Sequence, residues 1–261
     1  MRQCMYDIMP VGGAIRLLLR LLVGIFLLSQ SVSAQHYSFS TVTQDADAEF
    51  PSRLNYIMEG SRGCLWIATR SGLGRYDGNI LKKYMHDDAD TLSLPGNDVY
   101  SLAEDVDKDL WLFTVAGITR FDYQTDTFHP LTDEAGNKLR GHSGIAWREG
   151  ILFSTGIGIL YYNKRDNSMK TIAKMPGFYW AEKMQLLGDT TLLLQCRSHR
   201  IWRIPLSQAG DSIPVGESET FNCGQRTTDI LMDSQQRVCI ATLADGLFCY
   251  TPSGERIAAY T

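Results

Sequence analysis

Three carboxylates alternate at Asp105, Asp107 and Asp109, the spacing with which a calcium loop begins. Such a loop also needs glycine at its sixth position and glutamate at its twelfth. Leu110 and Ala116 stand there instead, and Asp45–Glu49 fails the same test at Phe50 and Tyr56. An acidic hairpin turn is therefore the expectation at Asp105–Asp109. The five histidines, His36, His86, His129, His142 and His199, have no paired spacing that would set two of them on one zinc. Gly156–Leu160 is glycine-rich but lacks the Lys-Ser and the helix of a phosphate loop. Ser143 lacks the second flanking glycine of a nucleophile elbow. No catalytic set, metal site or cofactor is expected. Most cysteines read as small buried apolar residues. Cys239 and Cys249 could pair across a hairpin in an oxidising compartment, a geometry that spacing alone does not fix.

Arg2, Arg16 and Arg20 lead into the apolar run Leu21–Leu28, and Val32, Ser33 and Ala34 follow. Positive, apolar and small residues in that order are expected to form a secretory signal peptide over residues 1–34, cut after Ala34, which places the mature chain in the periplasm. With 44% hydrophobic residues and a net charge of -4, the chain has a globular composition and no basic field to attract nucleic acid.

What must position any site is a repeat. Trp66-Ile-Ala-Thr-Arg-Ser-Gly-Leu-Gly-Arg-Tyr-Asp-Gly78 returns as Trp111-Leu-Phe-Thr-Val-Ala-Gly-Ile-Thr-Arg-Phe-Asp-Tyr123. Trp66 and Trp111, Gly72 and Gly117, Tyr76 and Phe121, and Asp77 and Asp122 each lie 45 positions apart. A third copy runs over Leu152–Asn163, a fourth without the glycine over Leu192–Ile204, and a fifth over Val238–Tyr250. Self-similarity at this period is the signature of β-propeller blades. In the first unit Leu54–Glu59 alternates as a half-buried strand does, and Gly60–Gly63 is a turn. Cys64–Thr69 is near-continuously apolar, as a strand covered on both faces should be. Arg75–Asp77 and Ile80–Met85 supply the outer strands. The expectation is an all-β chain over residues 35–261, with about five blades of four antiparallel strands. Trp66 and Trp111 are expected to fill the space between sheets, and Trp180–Asp189 to be an opening strand rather than a helix.

These phrases resemble the propeller repeat in the periplasmic sensor regions of two-component regulators, especially the large hybrid histidine kinases that respond to glycan fragments. The resemblance implies an exported ligand-sensing propeller and, in full-length relatives, membrane-anchored signalling domains as partners. It also implies seven blades, so the five visible units read as part of a longer ring and a truncated sequence. In a complete ring His36–Val42 would pair with the last blade.

A propeller binds its ligands through loops at one end of the central channel. Candidates on such loops are Arg53, Asn55, Arg70, Asn97, Asp98, His142, Trp180 and Arg226, with an oligosaccharide or other small ligand as the expected partner, a homodimer as a further association, and no nucleic acid. The competing readings are a protein-interaction propeller without a small ligand and a glycan-active enzyme, the latter disfavoured because no paired carboxylates stand out across blades.

Overall fold

The computed structural model describes residues 53–174, 180–196, 200–206, 213–214, 219–222 and 226–261. The expected signal segment 1–34, His36–Val42, Asp45–Glu49, His199, Cys4 and Cys223 lie outside the described residues. The first blade comprises β1 (Leu54–Glu59), β2 (Leu65–Thr69), β3 (Gly72–Tyr76) and β4 (Leu81–Tyr84). Blade 2 is β5 (Val99–Glu104), β6 (Leu110–Thr114), β7 (Gly117–Asp122) and β8 (Thr127–Pro130). Blade 3 follows as β9 (Gly144–Trp147), β10 (Gly150–Thr155), β11 (Gly158–Asn163) and β12 (Ser168–Lys174). In blade 4, β13 (Lys183–Leu187), β14 (Thr191–Gln195) and β15 (Arg200–Pro205) are followed by β16 (Ile213–Pro214), which pairs parallel to β12, and by β17 (Glu219–Asn222), which completes the sheet. Blade 5 is β18 (Thr227–Met232), β19 (Val238–Thr242), β20 (Leu247–Tyr250) and β21 (Arg256–Tyr260). Each blade is an antiparallel meander in chain order, so the chain is an all-β, five-bladed propeller. The stretch after Trp180 is a strand, β13.

The repeated phrase builds the second and third strands and the turn between them. Thr69 Oγ1 donates to the Gly72 carbonyl at 2.8 Å and accepts from the Ser71 amide at 3.1 Å. Thr114 closes its turn on Gly117 in the same way at 2.8 Å, Thr155 on Gly158 at 3.0 Å and Thr242 on Gly246 at 2.9 Å. Gly72, Gly117 and Gly158 have φ of 134°, 137° and 141°. A Cβ at Gly158 would lie 2.0 Å from the Ala173 carbonyl oxygen on the next strand, so the glycine also answers a close backbone approach. Downstream, Asp77 Oδ1 accepts from the Asn79 and Ile80 amides, and Asp122 Oδ1 from those of Gln124 and Thr125. The aromatic-Asp end of the phrase is thus an Asx turn into the outermost strand.

Gly60–Gly63 forms the expected turn, but only Gly63 has a positive φ (78°). At Gly60 the constraint is space, since a Cβ would approach Trp66 Cδ1 at 3.1 Å. The carboxylates of Asp105–Asp109 also form a turn, its Asp105 amide bonded to the Asp109 carbonyl at 3.0 Å. Their partner comes from blade 3, where Lys164 Nζ lies 3.1, 2.8 and 2.7 Å from Asp105, Asp107 and Asp109. Burial works to lower the Lys164 ammonium, but the hydrogen bonds to the three carboxylates outweigh it and hold it above the usual lysine range. In turn, the Lys164 hydrogen bond holds Asp107 below the usual carboxylate range.

Core clusters lie between successive blades. Trp66, Ala68 and Leu73 meet Leu102, Leu112 and Phe121 between blades 1 and 2. Trp111 and Phe113 meet Ile151 and Phe153 between blades 2 and 3. Leu152 and Ile159 meet Leu192 and Leu194 between blades 3 and 4, and Leu193 meets Ile230 and Ile240 between blades 4 and 5. Trp66 is fully buried, and the Trp111 indole donates to Asp105 at 2.9 Å. Among the described residues no such cluster joins blade 5 to blade 1. β2 departs from the expectation for this reason: β6 is buried at every position, whereas β2 keeps Leu65 and Ile67 half-exposed. The two-sided cover read from its apolar run is present on one side only.

Candidate functional site

The residue before or at the start of each innermost strand lies at the same end of the ring. Arg53 and Asn55 stand at the start of β1, Asp98 before β5, His142 before β9, Trp180 before β13 and Arg226 before β18. The turn between a blade's second and third strands reaches the same end, because antiparallel pairing sets Leu54 against Thr69. Arg70 follows, its amide bonded to the Arg53 carbonyl at 3.2 Å. Arg53, Asn55, Arg70, Asp98, His142 and Arg226 line one cavity of about 430 Å³ to which all five blades contribute. A second cavity of about 650 Å³ shares Arg70, Asp98, Tyr100 and His142 with it and adds Trp180 and Arg140.

Asn97 lines neither cavity. Its carbonyl accepts from the Gly72 amide at 2.8 Å and its Oδ1 from the His86 amide at 2.7 Å, so it ties the interblade connection to the β2–β3 turn.

An irregularity in the strands aims several of these side chains. Pairing skips Asn55 between Leu54 and Tyr56, Tyr100 between Val99 and Ser101, and Thr228 between Thr227 and Asp229. These bulges sit at the same place in blades 1, 2 and 5, and a bulge re-aims the extra side chain. Asn55 uses its position to bridge blades, donating to Asp98 Oδ1 at 2.9 Å and to the Val99 carbonyl at 2.8 Å. Ser143 makes a comparable bridge to the Ala181 carbonyl at 2.6 Å, and Gln195 reaches the Thr227 carbonyl at 3.1 Å. The rim is stitched by polar side chains between blades 1 and 2, 3 and 4, and 4 and 5.

Tyr100 and His142 stack with ring centroids 4.6 Å apart and planes at 9°, and His142 lies 6.4 Å from Trp180. Trp180 is 41% exposed, whereas Trp66, Trp111 and Trp147 are buried in the core. Burial raises the Tyr100 hydroxyl, Asp98 raises it further, and Arg140 and Arg70 oppose both, which puts two guanidinium groups in the field of one ring. Arg53, Arg70, Arg140 and Arg226 are exposed and make no ion pair with any described residue. Deeper in the channel Lys183 lies 4.4 Å from the Tyr56 ring centroid and 3.6 Å from Asp229. Together these groups form an aromatic platform edged by unpaired guanidinium groups, a combination suited to a ring-bearing ligand with an anionic substituent.

Residues 93–116 match the family model of the two component regulator propeller. This regulator-propeller repeat holds Asp98, Tyr100 and Thr114, so the matched stretch supplies part of the rim as well as the turn stitch. No curated protein matches the chain. Among solved structures, the extracellular domain of BT3049, described as a hybrid two component system of B. thetaiotaomicron, is similar at a TM-score of 0.62 and 19% identity, over 80% of this chain and 30% of that one. The extracellular domain of BT4673 from the same organism, also described as a hybrid two component system, gives 0.63 and 16%, over 80% and 31%. PorZ, a surface component of the type-IX secretion system of Porphyromonas gingivalis, gives 0.58 and 15%, over 80% and 33%. The chain spans about a third of the length of each, and at these identities the likeness is one of fold.

Sequence reasoning missed Tyr100, Arg140, Glu182 and Lys183. Tyr100 and Arg140 each stand two positions from a candidate, Asp98 and His142, but Arg140 precedes β9 and Tyr100 sits at a bulge, so strand alternation sets the direction of neither.

Proposed function

We propose that this chain is the ligand-sensing propeller of an exported two-component sensor and that its rim binds a fragment of an acidic glycan. The reading rests on one observation above all: the stacked Tyr100 and His142, with Trp180 beside them, lie among Arg70 and Arg140, which have no anionic partner among the described residues. Flat aromatic faces suit pyranose rings, and guanidinium groups take a carboxylate or sulfate in a two-pronged hydrogen bond. The rim binds without catalysing. Export is directed by residues 1–34, and occupancy passes to membrane-anchored signalling domains, through a homodimer in the intact receptor.

A sensor must bind its ligand more tightly in one arrangement than in another. Arg53 and Asn55 belong to blade 1 and Arg226 to blade 5; they line one cavity at the channel mouth, and among the described residues no core cluster joins those two blades. A ligand held by both blades favours the arrangement that brings Arg53 and Arg226 together.

Thermal unfolding of the full chain against a panel of neutral and acidic oligosaccharides tests the proposal. Stabilisation by acidic members is the expected result. A flat response across the panel would transfer the assignment to a protein-interaction propeller.

A further inference from the structure

We propose that Cys239 and Cys249 close into a cross-strand disulfide on the outer face of blade 5. The two residues are direct register partners on β19 and β20, and their sulfurs lie 3.0 Å apart. Direct partners point to the same side of a sheet. That side also carries Leu231, Ala241, Leu247 and Tyr260, while Ile230, Ile240 and Phe248 point the opposite way into the core shared with blade 4. Leu231 is 61% and Tyr260 62% exposed, so a small oxidant has access to this face. Cys239 is half-buried and Cys249 is 5% exposed, which makes Cys239 the point of entry.

The chemistry is an exchange with a small-molecule disulfide such as oxidised glutathione. The Cys239 thiolate attacks one of its sulfurs and expels a glutathione thiolate, leaving a mixed disulfide. Cys249 then attacks the Cys239 sulfur and expels the second. Two protein thiols are oxidised, one disulfide is reduced, and the two protons end on the departing thiolates. Burial, together with the contact to Cys249, pushes the Cys239 thiol up to about 11, with Asp233 adding to the rise and Arg237 opposing it. Attack needs the thiolate, so the first step accelerates as pH rises toward that value.

Cys196 is buried and Cys64 half-buried, and neither contacts another cysteine among the described residues. The bond is independent of what the rim binds, so its test and the ligand test fail separately.

The experiment treats the full chain with oxidised glutathione, alkylates it with iodoacetamide in denaturant and digests it with trypsin. No Lys or Arg lies between Val238 and Glu255, so one peptide, Val238–Arg256, carries both cysteines. The expected result is that peptide without alkylation, lighter by two hydrogens than its reduced form, with Cys64 and Cys196 alkylated. In a Cys249→Ser chain the reaction should stop at a glutathione adduct on Cys239. Alkylation of both cysteines in the unsubstituted chain, or a glutathione adduct persisting there, would overturn the proposal.

Discussion

Thr114 and Gly117 perform two separable tasks within one turn. The threonine hydroxyl satisfies a buried carbonyl, and the glycine lets the backbone take a φ of 137°. Thr114 is 2% exposed, so Thr114→Val keeps the shape, removes the hydroxyl and leaves the Gly117 carbonyl without it. The expected loss is about 1–3 kcal/mol in urea unfolding; an unchanged midpoint would deny the hydroxyl its part. The repeated phrase is thus explained by structure at Thr69, Gly72 and Asp77. Arg70 is different, since it has no matching arginine in the second copy, where Val115 stands, and it lines both rim cavities. Its departure from the repeat was readable in the sequence. Tyr100 was not, because its orientation depends on a bulge that leaves no mark in residue type.

The acidic turn between β5 and β6 shows how neighbouring blades are fastened beyond apolar contact. Lys164, at the end of β11, is 20% exposed in its side chain and holds three carboxylates of blade 2. The fold of that turn was legible from its alignment with Gly60–Gly63, but its partner, 59 positions from Asp105, was not. The carboxylates' spacing gives no hint of which blade supplies the cation. Asp107 is held below its ordinary value of 3.8, so its contribution is present above that value and is lost as pH falls through the depressed one. Lys164 is raised above its ordinary 10.5, so its contribution is complete below that pH and is lost only under more alkaline conditions. Lys164→Met should lower the denaturation midpoint at pH 7 and flatten its fall toward pH 3. An equally steep acid loss in the variant would locate that dependence elsewhere.

Across the ring, stability should follow the number of covered sheet faces. Blades 2, 3 and 4 have core clusters on both faces, while blades 1 and 5 have one each among the described residues. In a repeat architecture each unit leans on its neighbours, so amide exchange should be slower in β6 and β10 than in β20. Uniform protection across those strands would contradict the one-sided packing of blade 5. The five-bladed order was legible because the phrase recurs; the one-sided cover of blade 1 was not, because an apolar strand reads the same whether one face is covered or both. Seven of the eight rim candidates do line the two cavities, since strand starts in a propeller converge on one end, and Asn97 was drawn in only by its neighbour Asp98. The central claim is that this end binds an acidic glycan fragment through Arg70 and Arg140. Calorimetric titration of acidic oligosaccharides into the full chain and into an Arg70→Ala/Arg140→Ala chain tests it most directly. The account predicts saturable binding that weakens by at least about tenfold in the variant, with its ligand-free unfolding temperature unchanged. Equal affinity in the two chains, or no heat from any acidic oligosaccharide, would contradict it.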